Sequence, residues 1–208
     1  FGMPGTELSE REWQQCLKEE EKINNIDFIV ASGSLPPGVP LNIYAQMAKI
    51  ATQKKAKFIL DTSGESLKLA LEESVYLLKP NLGELSSLVN KKELQLHEVK
   101  DIAKEIIAKG KCPAMVVSMG GAGAMLVTHD IAEKISAPPV HRISTVGAGD
   151  SMLAGILFYL AEGKTLSQAA RYGVACGTAA TLNAGTELCR KEDAEKLSKL
   201  REIDAKIL

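Results

Sequence analysis

Ser144-Thr145-Val146-Gly147-Ala148-Gly149-Asp150-Ser151-Met152 places one carboxylate directly behind three residues with almost no side chain. The apolar residues that follow predict a helix from about Asp150 to Glu162. Backbone N–H groups in the first turn of a helix have no intrahelical partner. With the positive end of the helix dipole they form a cradle for an anion such as phosphate. Glycine lets an oxygen approach that backbone without meeting a Cβ. Asp150 then stands within reach of a nucleophile attacking the same phosphate. The plainer alternative is an acid that offsets the dipole behind a glycine turn, and this stretch alone leaves both readings open.

Working outward, the preceding chain alternates strand and helix signals. Ser9 followed by Glu12 is a capping box that opens a helix through about Ile23. Asp27–Ala31 reads as a buried strand, stopped by Ser32-Gly33-Ser34-Leu35-Pro36-Pro37-Gly38. A helix over 41–54, a strand over 57–61 and a helix from near Glu65 follow. Val75–Lys79 predicts a strand ended by Pro80, with helices expected over 83–89 and 97–108 and a strand over 115–118. Gly120-Gly121-Ala122-Gly123 separates two apolar runs and predicts a hairpin, with a short strand near Lys134–Ser136. Beyond Asp150 the pattern is helical, over 150–162, 167–183 and from Lys191 onward. Strand–helix alternation predicts an α/β fold with a mostly parallel sheet covered on both faces. No repeat or linker interrupts it, so one domain is expected over 1–208.

Composition narrows the function classes. The 208 residues carry 25 basic and 26 acidic side chains, a formal net charge of -1, which disfavours a nucleic-acid binder that works by neutralising phosphates. No apolar stretch approaches the roughly 18 residues that a membrane span needs, and no signal-peptide pattern is present. Cys16, Cys112, Cys176 and Cys189 show no C-x-x-C spacing and read as reduced thiols of a cytoplasmic protein. The histidines, His97, His129 and His141, are scattered, so zinc is not expected. Phe1-Gly2-Met3-Pro4-Gly5 reads as the end of a strand entered from something absent, which suggests a piece of a longer chain.

Other loops at strand ends also suit phosphate. Ser118-Met119-Gly120-Gly121-Ala122-Gly123 fails as a dinucleotide fingerprint, because a strand pattern rather than a helix follows it. It still suits phosphate or ribose, or serves as a permissive turn. Lys79-Pro80-Asn81-Leu82-Gly83-Glu84 ends another strand; Asn81 and Glu84 either face a hydrated Mg²⁺ or form a helix start with Asn81 as its cap. Ser32-Gly33-Ser34 suits a sugar phosphate or is a plain turn. The small residues Ala169, Ala170, Gly173, Ala175, Cys176, Gly177, Ala179 and Ala180 make a slim helix that another helix or an adenine ring can approach.

In this order the motifs resemble those of the PfkB/ribokinase family of sugar kinases. Ser144–Leu157 resembles the family's C-terminal signature, and Asn81–Glu84 its Asn-x-x-Glu motif. The resemblance implies a ribokinase-like three-layer α/β/α sandwich with its N-terminal strands and β-lid largely missing, Phe1–Gly5 being a lid remnant. It implies ATP and Mg²⁺ as cofactors, K⁺ as a further cation, and a small-molecule sugar phosphate as partner, with no nucleic acid or membrane. Asp150 then matches the catalytic base and a substrate contact, and Gly147, Ala148 and Gly149 the anion hole. Lys79, Asn81, Ser118, Gly120, Gly121, Gly123, Val174 and Thr178 match nucleotide positions, and Ser34 a substrate contact. Glu84 would hold Mg²⁺ through water. A monovalent cation is expected near Ser144, Val146, Ala180, Asn183 and Gly185, with Glu187 standing where the family leads one to expect arginine. Fructose 6-phosphate is the expected acceptor, with tagatose 6-phosphate and fructose 1-phosphate as alternatives. A full-length homodimer is implied, built through the lid. A nucleotide-binding module without catalysis and an NAD-dependent oxidoreductase are the readings from other classes.

Overall fold

The computed structural model describes residues 5–110 and 112–205, with side chains described as far as residue 200. Most of the expected lid remnant, residues 1–4, lies outside them. Eight α-helices and six strands are present among the described residues: α1 (Glu10–Lys22), β1 (Phe28–Ser32), α2 (Ile43–Lys54), β2 (Lys57–Asp61), α3 (Gly64–Ala70), β3 (Leu77–Leu78), α4 (Leu82–Leu88), α5 (Val99–Ala108), β4 (Ala114–Ser118), β5 (Ala124–Thr128), β6 (Ala132–Ile135), α6 (Ala148–Ala161), α7 (Leu166–Ala180) and α8 (Lys191–Ala205). The strands form a sheet in the order β1-β2-β3-β4-β5-β6. The chain divides into two compact units, Phe1–Met115 with Val127–Asp130, and Val116–Leu126 with Ile131–Leu208.

In the first unit the expected α/β alternation is realised. β1 pairs β2 in parallel from Phe28 against Lys57 to Ser32 against Asp61. β2 pairs β3, and β3 pairs β4, also in parallel. Phe58, Ile59 and Leu60 are successive residues with at most 1% exposure, so both faces of β2 are covered. Each such side chain contributes about 1.5–3 kcal/mol on burial. β3 is a two-residue ladder where five were expected. Tyr76 and Lys79 nevertheless donate their amides to Phe58 and Leu60 of β2, so the run is extended on that side and ends at Pro80.

In the second unit α6 begins at Ala148, two residues ahead of expectation, because Gly147 serves as its N-cap at φ 74°. α7 stops at Ala180 rather than near Asn183. The amides of Thr181, Leu182 and Asn183 bond carbonyls three residues back, and this tightening frees the Thr181 carbonyl to accept from Ile143 at 2.8 Å. Its start, by contrast, follows a signal in the sequence: Thr165 accepts from the Gln168 amide at 3.2 Å while Gln168 accepts from the Thr165 amide at 3.0 Å. The small residues of α7 form a packing seam with α6: a Cβ on Gly155 would lie 2.6 Å from Cys176 Sγ, and one on Gly177 would lie 3.0 Å from the Ala148 carbonyl.

Candidate active site

The start of α6 has the form that its sequence predicts. Gly147 holds a left-handed backbone that a side chain would strain, and Ala148, Gly149 and Asp150 make the first turn. Ala148 N–H reaches back to the Thr145 carbonyl at 3.4 Å, and the Gly147 carbonyl accepts from Ser151. Gly149 and Asp150 are exposed, whereas Ser151 is buried at 2% exposure. The first-turn amides and the dipole thus favour an anion at this end, with an exposed carboxylate beside it.

Against this turn lies the loop after α7. Ser144 Oγ donates to the Gly185 carbonyl at 2.7 Å and accepts from Val146 N–H at 3.2 Å. Asn183 is 7% exposed, and its Nδ2 donates to the Leu188 carbonyl at 2.8 Å. The five residues expected to surround a monovalent cation fall into two hydrogen-bonded groups: Ser144 with Val146 and Gly185, and Asn183, whose backbone amide donates to the Ala180 carbonyl. Hydroxyl and carbonyl oxygens are hard donors suited to such an ion. Among the described residues no cluster of three or more His, Cys, Asp or Glu side chains is placed to hold a metal.

Ser118 ends β4, and the glycine turn after it is a short 3₁₀ segment, Gly120–Ala122, closed by Met119 N–H donating to the Gly123 carbonyl at 2.8 Å. The expected hairpin connection is thus present. Gly123, at φ 96°, runs so close to the Ile135–Ala137 backbone that a Cβ would lie 2.6 Å from the Ala137 nitrogen. Gly120 and Gly121 are exposed. The guanidinium of Arg142 lies over Gly121, with its Cζ 2.7 Å from where a Cβ would be. Arg142 is a cation that reading the sequence missed, because nothing local links it to a turn twenty residues earlier. Val174 borders a cavity of about 310 Å³, together with Ser136, Pro138, Arg171 and Tyr159. Thr178 is buried, its hydroxyl donating to the Val174 carbonyl at 2.8 Å.

Ser34, Lys79, Asn81 and Glu84 belong to the first unit. Ser34 is exposed in a loop held by Gly33, whose carbonyl accepts from Thr62 Oγ1 at 2.8 Å and from the Tyr44 hydroxyl at 2.9 Å. Lys79 is 3% exposed and pairs with Asp61 Oδ2 at 2.9 Å. Asp61 is the last residue of β2, and nothing local in the sequence marks it as the partner of Lys79. Asn81 Oδ1 accepts from Glu84 N–H at 2.9 Å, and Glu84 Oε2 accepts from Asn81 N–H at 2.8 Å. The helix-cap reading of this pair is realised. Because the Asn81 amide takes Oε2, Glu84 still has Oε1 to offer a metal-bound water, and that donor set fits a hydrated Mg²⁺.

Comparison with known proteins bears on this arrangement. The model of the family described as pfkB family carbohydrate kinase matches residues 3–193. The ATP-dependent 6-phosphofructokinase isozyme 2 of Escherichia coli (strain K12) is 43% identical over 198 residues, which are 95% of this chain and 64% of that protein. A 1-phosphofructokinase of Borreliella burgdorferi is 32% identical, with 92% of this chain and 61% of that protein covered. The crystal structure of phosphofructokinase-2 from Escherichia coli in complex with potassium matches at a TM-score of 0.91 and 42% identity, covering 96% of this chain and 65% of that one. The tetrameric inhibited form of the same enzyme matches at 0.89 and 41%, covering 96% and 64%. The expected ribokinase-like α/β fold is the fold of this chain. The chain spans somewhat less than two thirds of the length of these relatives.

Proposed function

The chain belongs to the pfkB family of carbohydrate kinases, and we propose that it serves ATP-dependent phosphorylation of fructose 6-phosphate at the 1-hydroxyl. The observation that carries this reading is the start of α6, where a left-handed Gly147 precedes the first-turn amides and an exposed Asp150 lies in the same turn. Asp150 accepts the proton of the attacking sugar hydroxyl. The amides following Gly147 offset charge as it builds on the transferring phosphoryl group, which is the main contribution that a protein makes to such a reaction. Bound Mg²⁺ would neutralise phosphate charge, with Glu84 holding it through water. Ser118, Gly120, Gly121, Gly123, Val174 and Thr178 are assigned to the nucleotide, with Lys79 and Asn81, and Ser34 to the sugar phosphate. Ser144, Val146, Ala180, Asn183 and Gly185 are assigned to K⁺, a reading supported by the potassium complex of the Escherichia coli relative.

Identity of 43% to an isozyme 2 enzyme supports the 6-phosphate acceptor. Relatives named 1-phosphofructokinase favour fructose 1-phosphate as the second reading. Membership of a carbohydrate kinase family replaces the NAD-dependent oxidoreductase alternative. The assembly is proposed to be a homodimer, whereas the Escherichia coli relative is tetrameric in its inhibited form. Among the described residues no helix is long and apolar enough to cross a membrane, and a cytoplasmic location is proposed.

The test is calorimetry with ATP followed by competition of fructose 6-phosphate, fructose 1-phosphate and tagatose 6-phosphate for phosphotransfer. The reading expects ATP to bind and fructose 6-phosphate to give the highest kcat/KM. ATP binding without transfer to any of the three would reduce the chain to a nucleotide-binding module. Preference for fructose 1-phosphate would move it to the second reading.

A further inference from the structure

Two of the four cysteines lie together in the unit that contains Asp150. Cys176, in the middle of α7, is 4% exposed. Cys189, in the loop between α7 and α8, is partly exposed and packs against the cluster formed by Tyr172, Ala175, Cys176 and Ala179. Cys176 Sγ faces α6, where a Cβ on Gly155 would lie 2.6 Å from it, and Cys189 meets the same helix one turn earlier through its amide bond to Ser151 Oγ. The neighbouring Cys189 thiol adds to the burial that pushes the Cys176 thiol up. Neither cysteine has a role in the reading given above.

The loop carrying Cys189 meets the start of α6 at two points, and a hydrogen bond within the loop braces it. Cys189 N–H donates to Ser151 Oγ at 3.3 Å, one residue beyond Asp150. The Leu188 carbonyl accepts from Asn183 Nδ2 at 2.8 Å. Leu188 Cδ2 stands 2.7 Å from the place a Cβ on Gly147 would occupy. A displacement of Cys189 towards α7 therefore draws on the residues that fix Gly147 and Ser151.

We propose that Cys176 and Cys189 are a redox modification site: they form a reversible disulfide that ties the 184–190 loop to α7 and disturbs the start of α6. The oxidant is a small-molecule disulfide. The Cys189 thiolate attacks one of its sulfurs, forming a mixed disulfide and expelling one small thiolate. The Cys176 thiol then gives up its proton to a departing thiolate as its sulfur attacks Cys189 Sγ and expels the second. Two protein thiols thus become one disulfide, their two protons end on the departing thiolates, and the oxidant is reduced to two thiols. Cys189 attacks first because it is the reachable member, whereas burial pushes the Cys176 thiol up to about 12. Closing an S–S bond of about 2.05 Å draws Cys189 and α7 together, and the loop is the freer of the two because residues 184–188 are exposed whereas Cys176 is buried in mid-helix.

The crosslink stands independently of the proposed function; only its effect on phosphotransfer rests on that reading. The test treats a Cys16→Ser chain, which removes the exposed thiol of α1, with oxidised glutathione. Expected are a chain lighter by two hydrogen atoms with no glutathione attached, and one cross-linked peptide joining residues 176 and 189. Cys189→Ser should show no internal crosslink, and Cys176→Ser should stop at a stable glutathione adduct on Cys189. Because Cys189→Ser alters a partly exposed loop residue, it keeps the test decisive even where Cys176→Ser fails to fold. Two free thiols after treatment, a persistent adduct with both cysteines present, or a bond to Cys112 would each overturn the site. ATP binding by the oxidised chain should weaken and return with dithiothreitol. A crosslink that forms while ATP binding holds steady would overturn its coupling to α6, and a chain that binds no ATP even when reduced would count against the proposed function instead.

Discussion

Gly173 of α7 lies so close to α6 that a Cβ on it would stand 2.5 Å from Ile156 Cγ1 and 2.8 Å from the Met152 carbonyl. Alanine is the better helix former by about 1 kcal/mol. Overpacking of a filled interior costs about 1–3 kcal/mol, and a backbone carbonyl cannot step aside as a flexible side chain can. With that carbonyl fixed the cost lies at the upper end of the range, so Gly173→Ala should lose about 2 kcal/mol net in urea unfolding. A variant as stable as the parent would mean that the two helices are not packed as described.

The Lys79–Asp61 pair is nearly removed from water, its side chains being 4% and 13% exposed. Removing one member leaves the other charge buried and unpaired, which costs about 3–5 kcal/mol. Lys79→Met should show that loss, and the Lys79→Met, Asp61→Asn double variant should recover much of it. If Lys79 served only as a nucleotide contact, Lys79→Met would lower ATP affinity and leave the unfolding midpoint in place.

Glu20 of α1 has both carboxylate oxygens buried without a hydrogen-bond partner among the described residues. Burial pushes its pKa up to about 7 from an ordinary 4.5, and this outweighs the attraction of Lys54. Between those two values the folded carboxyl keeps a proton that the unfolded chain has lost, so unfolding releases it and this group's contribution to stability falls as pH rises. The parent should gain thermal stability relative to Glu20→Gln on going from pH about 7.5 to about 5.5. Parallel melting temperatures for the two proteins across that range would show that Glu20 does not titrate there.

Local signals carried the helix starts. Ser9 with Glu12 is a capping pattern within four residues, and α1 begins where it was expected; Thr165 with Gln168 is the same pattern, overlooked in the sequence, and it starts α7 at Leu166 rather than at Ser167. The continuous apolar runs at 57–61 and 115–118 became buried parallel strands for the same reason, since each needs only its own residues to be read. Long-range pairings were not legible. That Asp61 holds Lys79, that Arg142 covers Gly121 and that Cys189 meets Cys176 depend on how distant segments pack. The helix ends also escaped, because the tightened end of α7 goes with a bond from Ile143 to the Thr181 carbonyl, a partner nearly forty residues away in sequence. Asn81 and Glu84 show a further limit: a capping box and a metal-facing pair have the same spacing, and the structure realises the first while leaving one oxygen for the second.

The most direct measurement is the turnover of Asp150→Asn with ATP and fructose 6-phosphate, alongside ATP affinity by calorimetry. Loss of a positioned general base lowers rates by about 10²–10⁴, so turnover should fall by at least that factor while ATP still binds. Turnover close to that of the parent would contradict the assignment of Asp150 and, with it, the phosphoryl-transfer role of the α6 start.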